Sequence, residues 1–144
     1  MTHASVQQLL TTSLILMLAG LSPASAHTLQ NNLAASKTAT AKWEIVCYPP
    51  ATQMVVRLSQ TQKTKNFRVA LDVKAGEESL LMESIPLKKV WTPYDSIQAG
   101  AVPYVLSLSK IGSNTQGKVT YVVDNHCEAA SGAHTQQSAP KRLR

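Results

Sequence analysis

Whatever chemistry this chain can do falls to its four histidines, two cysteines and a handful of closely spaced acids. His27 directly follows Ala24-Ser25-Ala26, small residues of the kind a signal peptidase reads, so cleavage there would make it the first residue of a mature chain. An amino-terminal histidine offers Cu(II) both its amine and its ring. A second imidazole, from His126 or His134, would complete a near-planar set of nitrogens. Against this reading, residues 28–41 (TLQNNLAASKTATA) are polar and patternless. They predict a frayed terminus, and ordering a mobile ligand costs roughly 1–2 kcal/mol per residue.

Cys47 and Cys127 form an even pair, most simply a disulfide in an exported chain. Closing a loop of about 80 residues is worth at most on the order of 4.5 kcal/mol in the chain-entropy treatment. A zinc site fits poorly, because neither cysteine has a second Cys or His two to four residues away, and His126 is directly adjacent to Cys127. Asp124 and His126, two apart, share one face of a strand at about 7 Å along it. A catalytic base and its orienting acid must meet at about 3 Å, and a nucleophile would still be needed. The chain contains no Gly-x-Ser-x-Gly elbow, no His-Glu-x-x-His and no phosphate-cradling glycine loop. Glu77-Glu78 sit in a turn pattern and read as solvated. The expectation is a protein that is not an enzyme and carries no cofactor, with copper held by His27 and His126 as the alternative.

The segments that must position these residues begin with an apolar run, Leu14 to Leu21, then Pro23 and the small-residue site. Residues 1–26 therefore read as a secretory signal, although no Lys or Arg opens it. The run falls short of the roughly 20 apolar residues needed to span a bilayer, and no later segment approaches that length. Export to the periplasm or the exterior is the expectation, with no transmembrane segment. Removal of the signal would leave 118 of the 144 residues, enough for one domain. Residues 27–41 read as a flexible lead, 42–128 as the folded domain, and 129–144 as a disordered basic tail.

Within 42–128 the apolar residues alternate. Trp43, Ile45 and Cys47 share one face until Pro49-Pro50 stops the run; Met54, Val56 and Leu58 follow; Phe67, Val69, Leu71 and Val73 form the cleanest case. Further runs are expected at 79–85, at 87–92 as an edge strand guarded by Lys88 and Lys89, and at Tyr104, Leu106 and Leu108. After a glycine-bounded turn at 112–117, Val119, Tyr121 and Val123 would close a hairpin, with Cys127 inward by the same parity. About seven short strands and no convincing helix describe an all-β fold, a small antiparallel β-sandwich or barrel with one disulfide. The immunoglobulin signature is not matched: Trp43 shares a strand with Cys47, and Tyr121 lies six rather than two residues before Cys127.

Trp43-Glu44-Ile45-Val46-Cys47, the later Leu58-Ser59-Gln60, and Pro86-Leu87 after an apolar strand resemble the first half of the invasion-associated locus B family of exported bacterial β-proteins, over residues 43–90. The resemblance implies a non-enzymatic periplasmic or secreted protein involved in host interaction.

Two surfaces present themselves as binding candidates. The loop 90–104 carries Trp91, Tyr94 and Tyr104 among two prolines, and aromatics on a stiffened loop bury area at small entropic cost. Trp91 and Tyr104 are expected to close one end of the core, leaving Tyr94 exposed. The other surface is positive. The net charge is +6, and Lys88, Lys89, Lys141, Arg142 and Arg144 could meet an anionic lipid, polymer or glycan, whereas location disfavours nucleic acid. The function expected is an exported, non-enzymatic binding module that contacts a protein or an anionic envelope or host component. An envelope enzyme inhibitor is the related alternative.

Overall fold

The computed structural model describes residues 27–144. The expected export signal at 1–26 lies outside the described residues. Nine strands follow in chain order: β1 (His27–Leu33), β2 (Ala41–Val46), β3 (Gln53–Gln60), β4 (Phe67–Ala75), β5 (Glu78–Glu83), β6 (Asp95–Ile97), β7 (Pro103–Gly112), β8 (Val119–Glu128) and β9 (Lys141–Arg142). They form two antiparallel sheets, one ordered β1-β8-β3-β6 and the other β5-β4-β7-β2-β9. The fold is an all-β sandwich and not a closed barrel. None of the described residues is helical, so none of them forms a helix long and apolar enough to cross a membrane.

Period-two patterning explains the layers. Met54, Val56 and Leu58 of β3 and Tyr121, Val123 and Cys127 of β8 face inward from one sheet. From the other, Val69, Leu71 and Val73 of β4 and Tyr104, Leu106 and Leu108 of β7 meet them, and all are essentially inaccessible. Three polar devices join the sheets within this core. The Cys47–Cys127 disulfide bridges the end of β2 to β8 across 80 residues of chain. Trp43 Nε1 donates to the Tyr121 hydroxyl at 2.9 Å. Lys110, buried on β7, donates its ammonium to the carbonyls of Ala34 and Gly117 at 2.8 and 2.7 Å, and burial pushes its pKa below the ordinary value.

The structure corrects the sequence expectations at five places. Residues 27–33, expected as part of a loose lead, form β1, paired with β8 from His27↔Asn125 to Leu33↔Val119. Only Leu29 and Leu33 of this strand are buried, so the apolar signal is thin and the backbone ladder carries the segment. Residues 87–92, expected as an edge strand, instead make a turn in which Lys89 has φ of 57° and donates its N–H to the Gln60 carbonyl at 2.8 Å. The loop 93–103 contributes the three-residue edge strand β6 against β3.

The supposed hairpin of β7 and β8 is a crossing between sheets, because β7 and β8 belong to different layers. Alternation marks which face is apolar, and two such faces satisfy it equally well side by side or opposed across a core. At the crossing, Gly112 has φ of 148°, and a Cβ there would stand 2.1 Å from the Asn66 carbonyl oxygen.

The tail at 129–144, finally, is ordered. Thr135 N–H donates to the Cys127 carbonyl and Ser138 N–H to that of Val46, each at 2.9 Å, and Lys141–Arg142 pair with Glu44 and Trp43 of β2. Arg142 lies 4.9 Å over the Trp43 ring. A ladder of two residues has no side-chain period, which is why composition alone reads as disorder; its value is to cover the otherwise open edge of β2.

Gln137 ties this tail to the core. Its amide nitrogen donates to the fully buried Asn125 Oδ1 at 2.8 Å, while its carbonyl oxygen accepts from Cys127 N–H at 3.1 Å. Gln137→Leu should therefore orphan two buried polar groups and lower unfolding free energy by about 1–3 kcal/mol for each group left unpaired. Urea denaturation would read this, and a loss under about 0.5 kcal/mol would contradict it. Replacing Cys47 and Cys127 together by serine should cost about 2–5 kcal/mol in the same measurement.

Candidate functional site

The same alternation that sends Tyr121, Val123 and Cys127 inward sends Asp124, His126 and Glu128 to the outer face of the four-stranded sheet. Register with β3 sets Arg57 opposite Asp124, Val55 opposite His126 and Gln53 opposite Glu128. Beyond β3, β6 places Ser96 opposite Val55. A compact turn after β8, closed by Ala129 N–H to the Ala133 carbonyl at 2.9 Å, brings His134 back as the cross-strand partner of Glu128. An open pocket of about 580 Å³ results, walled by Tyr94, Asp95 and Ser96 on one side and by His126, Glu128 and His134 on the other.

Two clusters divide this face. In the first, the Arg57 guanidinium lies 4.3 Å from the Trp91 ring and 4.5 Å from the Tyr94 ring, and its Nε donates to Asp124 Oδ2 at 2.9 Å. The Tyr94 hydroxyl donates to the same oxygen at 2.8 Å. Burial, the hydrogen bond to Asp124 and the charge of that carboxylate raise the Tyr94 pKa, with Arg57 opposing. Asp124 Oδ1 is buried and has no hydrogen-bond partner among the described residues.

The second cluster centres on Glu128. Its Oε1 lies 2.7 Å from His126 Nε2, and its Oε2 accepts from Gln53 Nε2 at 2.8 Å. The His126 and His134 rings stack with centroids 4.3 Å apart, and Tyr94 meets His126 edge-on at 5.9 Å. Burial works to raise the Glu128 pKa, but the hydrogen bonds from His126 and Gln53, together with the influence of both imidazoles, outweigh it and hold the carboxyl below its ordinary value. His126 is 9% exposed, and its Nδ1 is buried without a partner among the described residues.

The residues singled out from sequence fall as follows. Cys47 and Cys127 are joined. Tyr104 is buried in the core, donating to the Gly100 carbonyl at 2.8 Å; Trp91 is half-buried against Arg57; Tyr94 is exposed at the rim of the pocket. His27 and His126 are not brought together: His27 shares the inner-face parity of Leu29 and Asn125, whereas His126 points to the outer face. The basic residues form no single patch, with Lys88 and Lys89 in the turn beside Gln60 and Lys141, Arg142 and Arg144 along the edge of β2. Asp124 pairs with Arg57 and Tyr94 rather than orienting His126, whose acidic neighbour is Glu128.

Glu128, Arg57 and the approach of His134 were missed by sequence reasoning. For Glu128 the sequence carries a signal, since 124, 126 and 128 share parity. For His134 there was none, because its position depends on a turn and one backbone bridge. No family model, curated protein or solved structure matches the chain.

A carboxyl whose folded pKa lies below its unfolded value adds stability that is present above the ordinary value, 4.5, and lost as pH falls through the folded value. In chelator-treated protein, the stability advantage of the wild type over Glu128→Gln should be full near pH 6 and shrink steadily below about pH 4.5. An advantage that grows on acidification would reverse the sign argued here.

Proposed function

We propose that this chain is an exported, non-enzymatic binding module that docks a protein partner on the outer face of its four-stranded sheet. The observation that carries this reading is the Arg57–Trp91–Tyr94 stack beside an open pocket. Arginine and large aromatics held rigid before a partner arrives are the residue types that dominate binding energy at protein interfaces. Asp124 locks Arg57 from behind, so little rotamer freedom remains to be lost on association.

The surroundings favour a protein over an anionic polymer. Asp95 and Glu128 line the pocket, and the lysines at 88–89 and the basic residues at 141–144 lie elsewhere. Against catalysis, Ser96 and His126 are separated by Val55, two strand spacings or about 9.6 Å, far beyond the roughly 3 Å a nucleophile and its base require. The resemblance of residues 43–90 to the invasion-associated locus B proteins points the same way.

A photo-crosslinking residue at Tyr94, introduced in the producing organism, should capture one discrete envelope or host protein. The same residue at Leu81, exposed on β5 of the opposite sheet, should not. Trp91→Ala should weaken the association at least about tenfold, corresponding to about 1.4 kcal/mol. Equal adducts from both positions, or none from Tyr94, would defeat the reading.

A further inference from the structure

The geometry points to a binding site for a first-row divalent transition metal, Zn2+ or Cu2+, made by His126, Glu128 and His134. One donor atom from each of the three side chains lies within 4.8 Å of the others. Two imidazoles and one carboxylate are a donor set that suits Zn2+ and Cu2+, whereas Ca2+ and Mg2+ select oxygen ligands throughout. Tetrahedral ligands at about 2.1 Å from zinc stand about 3.4 Å apart, so closing the set requires only small side-chain rotations.

Backbone pairing brings these residues together, not chance contact at the surface. His126 and Glu128 are two apart on β8 and share its outer face, and the Glu128↔His134 bridge sets His134 across from Glu128 on that face. Gln53 holds the second carboxylate oxygen at 2.8 Å, the kind of outer hydrogen bond that orients a metal-binding carboxylate.

A second observation is independent of the clustering. His126 Nδ1 is a buried polar atom with no hydrogen-bond partner among the described residues, on a side chain otherwise packed away from solvent. Buried imidazole nitrogens ordinarily find a partner. On this face the His126 ring stacks on His134, meets Tyr94 edge-on and stands opposite Val55 in the ladder. A metal taken through Nδ1, once the ring turns toward the other two ligands, gives that nitrogen the partner it lacks, whereas Nε2 already lies 2.7 Å from Glu128 Oε1. Three protein donors leave at least one coordination position open, and all three side chains line the pocket bordered by Tyr94, Asp95 and Ser96. The site needs neither His27 nor the protein partner proposed above, so each can fail without the other.

Calorimetric titration of residues 27–144 with ZnCl2 and, separately, CuCl2 tests the site, with one residue added before His27 to suppress copper capture by the terminal amine. One equivalent should bind with Kd of about 1 µM or tighter and raise Tm as the metal concentration rises. His134→Ala, a change at an exposed residue, and Glu128→Gln should each weaken binding at least about tenfold, whereas His27→Ala should leave it unchanged. Should a variant fold poorly, imidazole NMR of the wild type decides between the outcomes: Zn2+ should shift the ring signals of His126 and His134 and spare His27. Absence of binding by both metals at about 100 µM, or tight binding that persists in His134→Ala and Glu128→Gln, or shifts confined to His27, would overturn the site.

Discussion

Strand β8 is hydrogen-bonded on both sides, to β1 and to β3, and that double pairing leaves its side chains no freedom over which face they occupy. Every second residue must enter the core and every other must leave it. Tyr121, Val123, Asn125 and Cys127 are committed to packing, the inter-sheet hydrogen bond and the disulfide. Asp124, His126 and Glu128 are thereby committed to the opposite face, where two of them are largely buried under Arg57, Tyr94 and the returning tail. The core and the candidate site are two sides of one ladder.

The carboxyl-terminal segment depends on the same strand. It crosses the disulfide, satisfies buried Asn125 through Gln137, delivers His134 to Glu128 and then closes the edge of β2. A segment with a single large apolar residue, Leu143, is ordered here because the core leaves specific backbone and amide groups for it to satisfy, and an unpaired buried group is costly. The first strand follows a similar logic: two leucines and a run of ladder hydrogen bonds hold an otherwise polar sequence. Tail and lead are thus held by the domain and do not trail from it.

Electrostatically the outer face is a balance of opposite groups in close quarters. Arg57 answers Asp124, and the imidazoles with Gln53 answer Glu128, so neither carboxylate is left to bear its burial alone. The arrangement fixes aromatic rings beside a polar pocket, a combination suited to recognition, and it gathers nitrogen and oxygen donors at one end of that pocket, a combination suited to a metal.

Composition and alternation by themselves determined the all-β class, the inward residues of β3, β4, β7 and β8, and the pairing of the only two cysteines, because burial imposes a period of two wherever a strand has one wet face. They also placed Asp124 and His126 on one face and Tyr94 at the surface. Only the tertiary structure decided that β7 and β8 lie in different sheets, that residues 27–33 and 141–142 are strands, and that His126 meets Glu128 and His134 instead of His27. The physical reason is that alternation specifies a face but not a neighbour. Neighbours follow from backbone hydrogen bonds between segments distant in sequence, and those bonds leave no mark on side-chain composition.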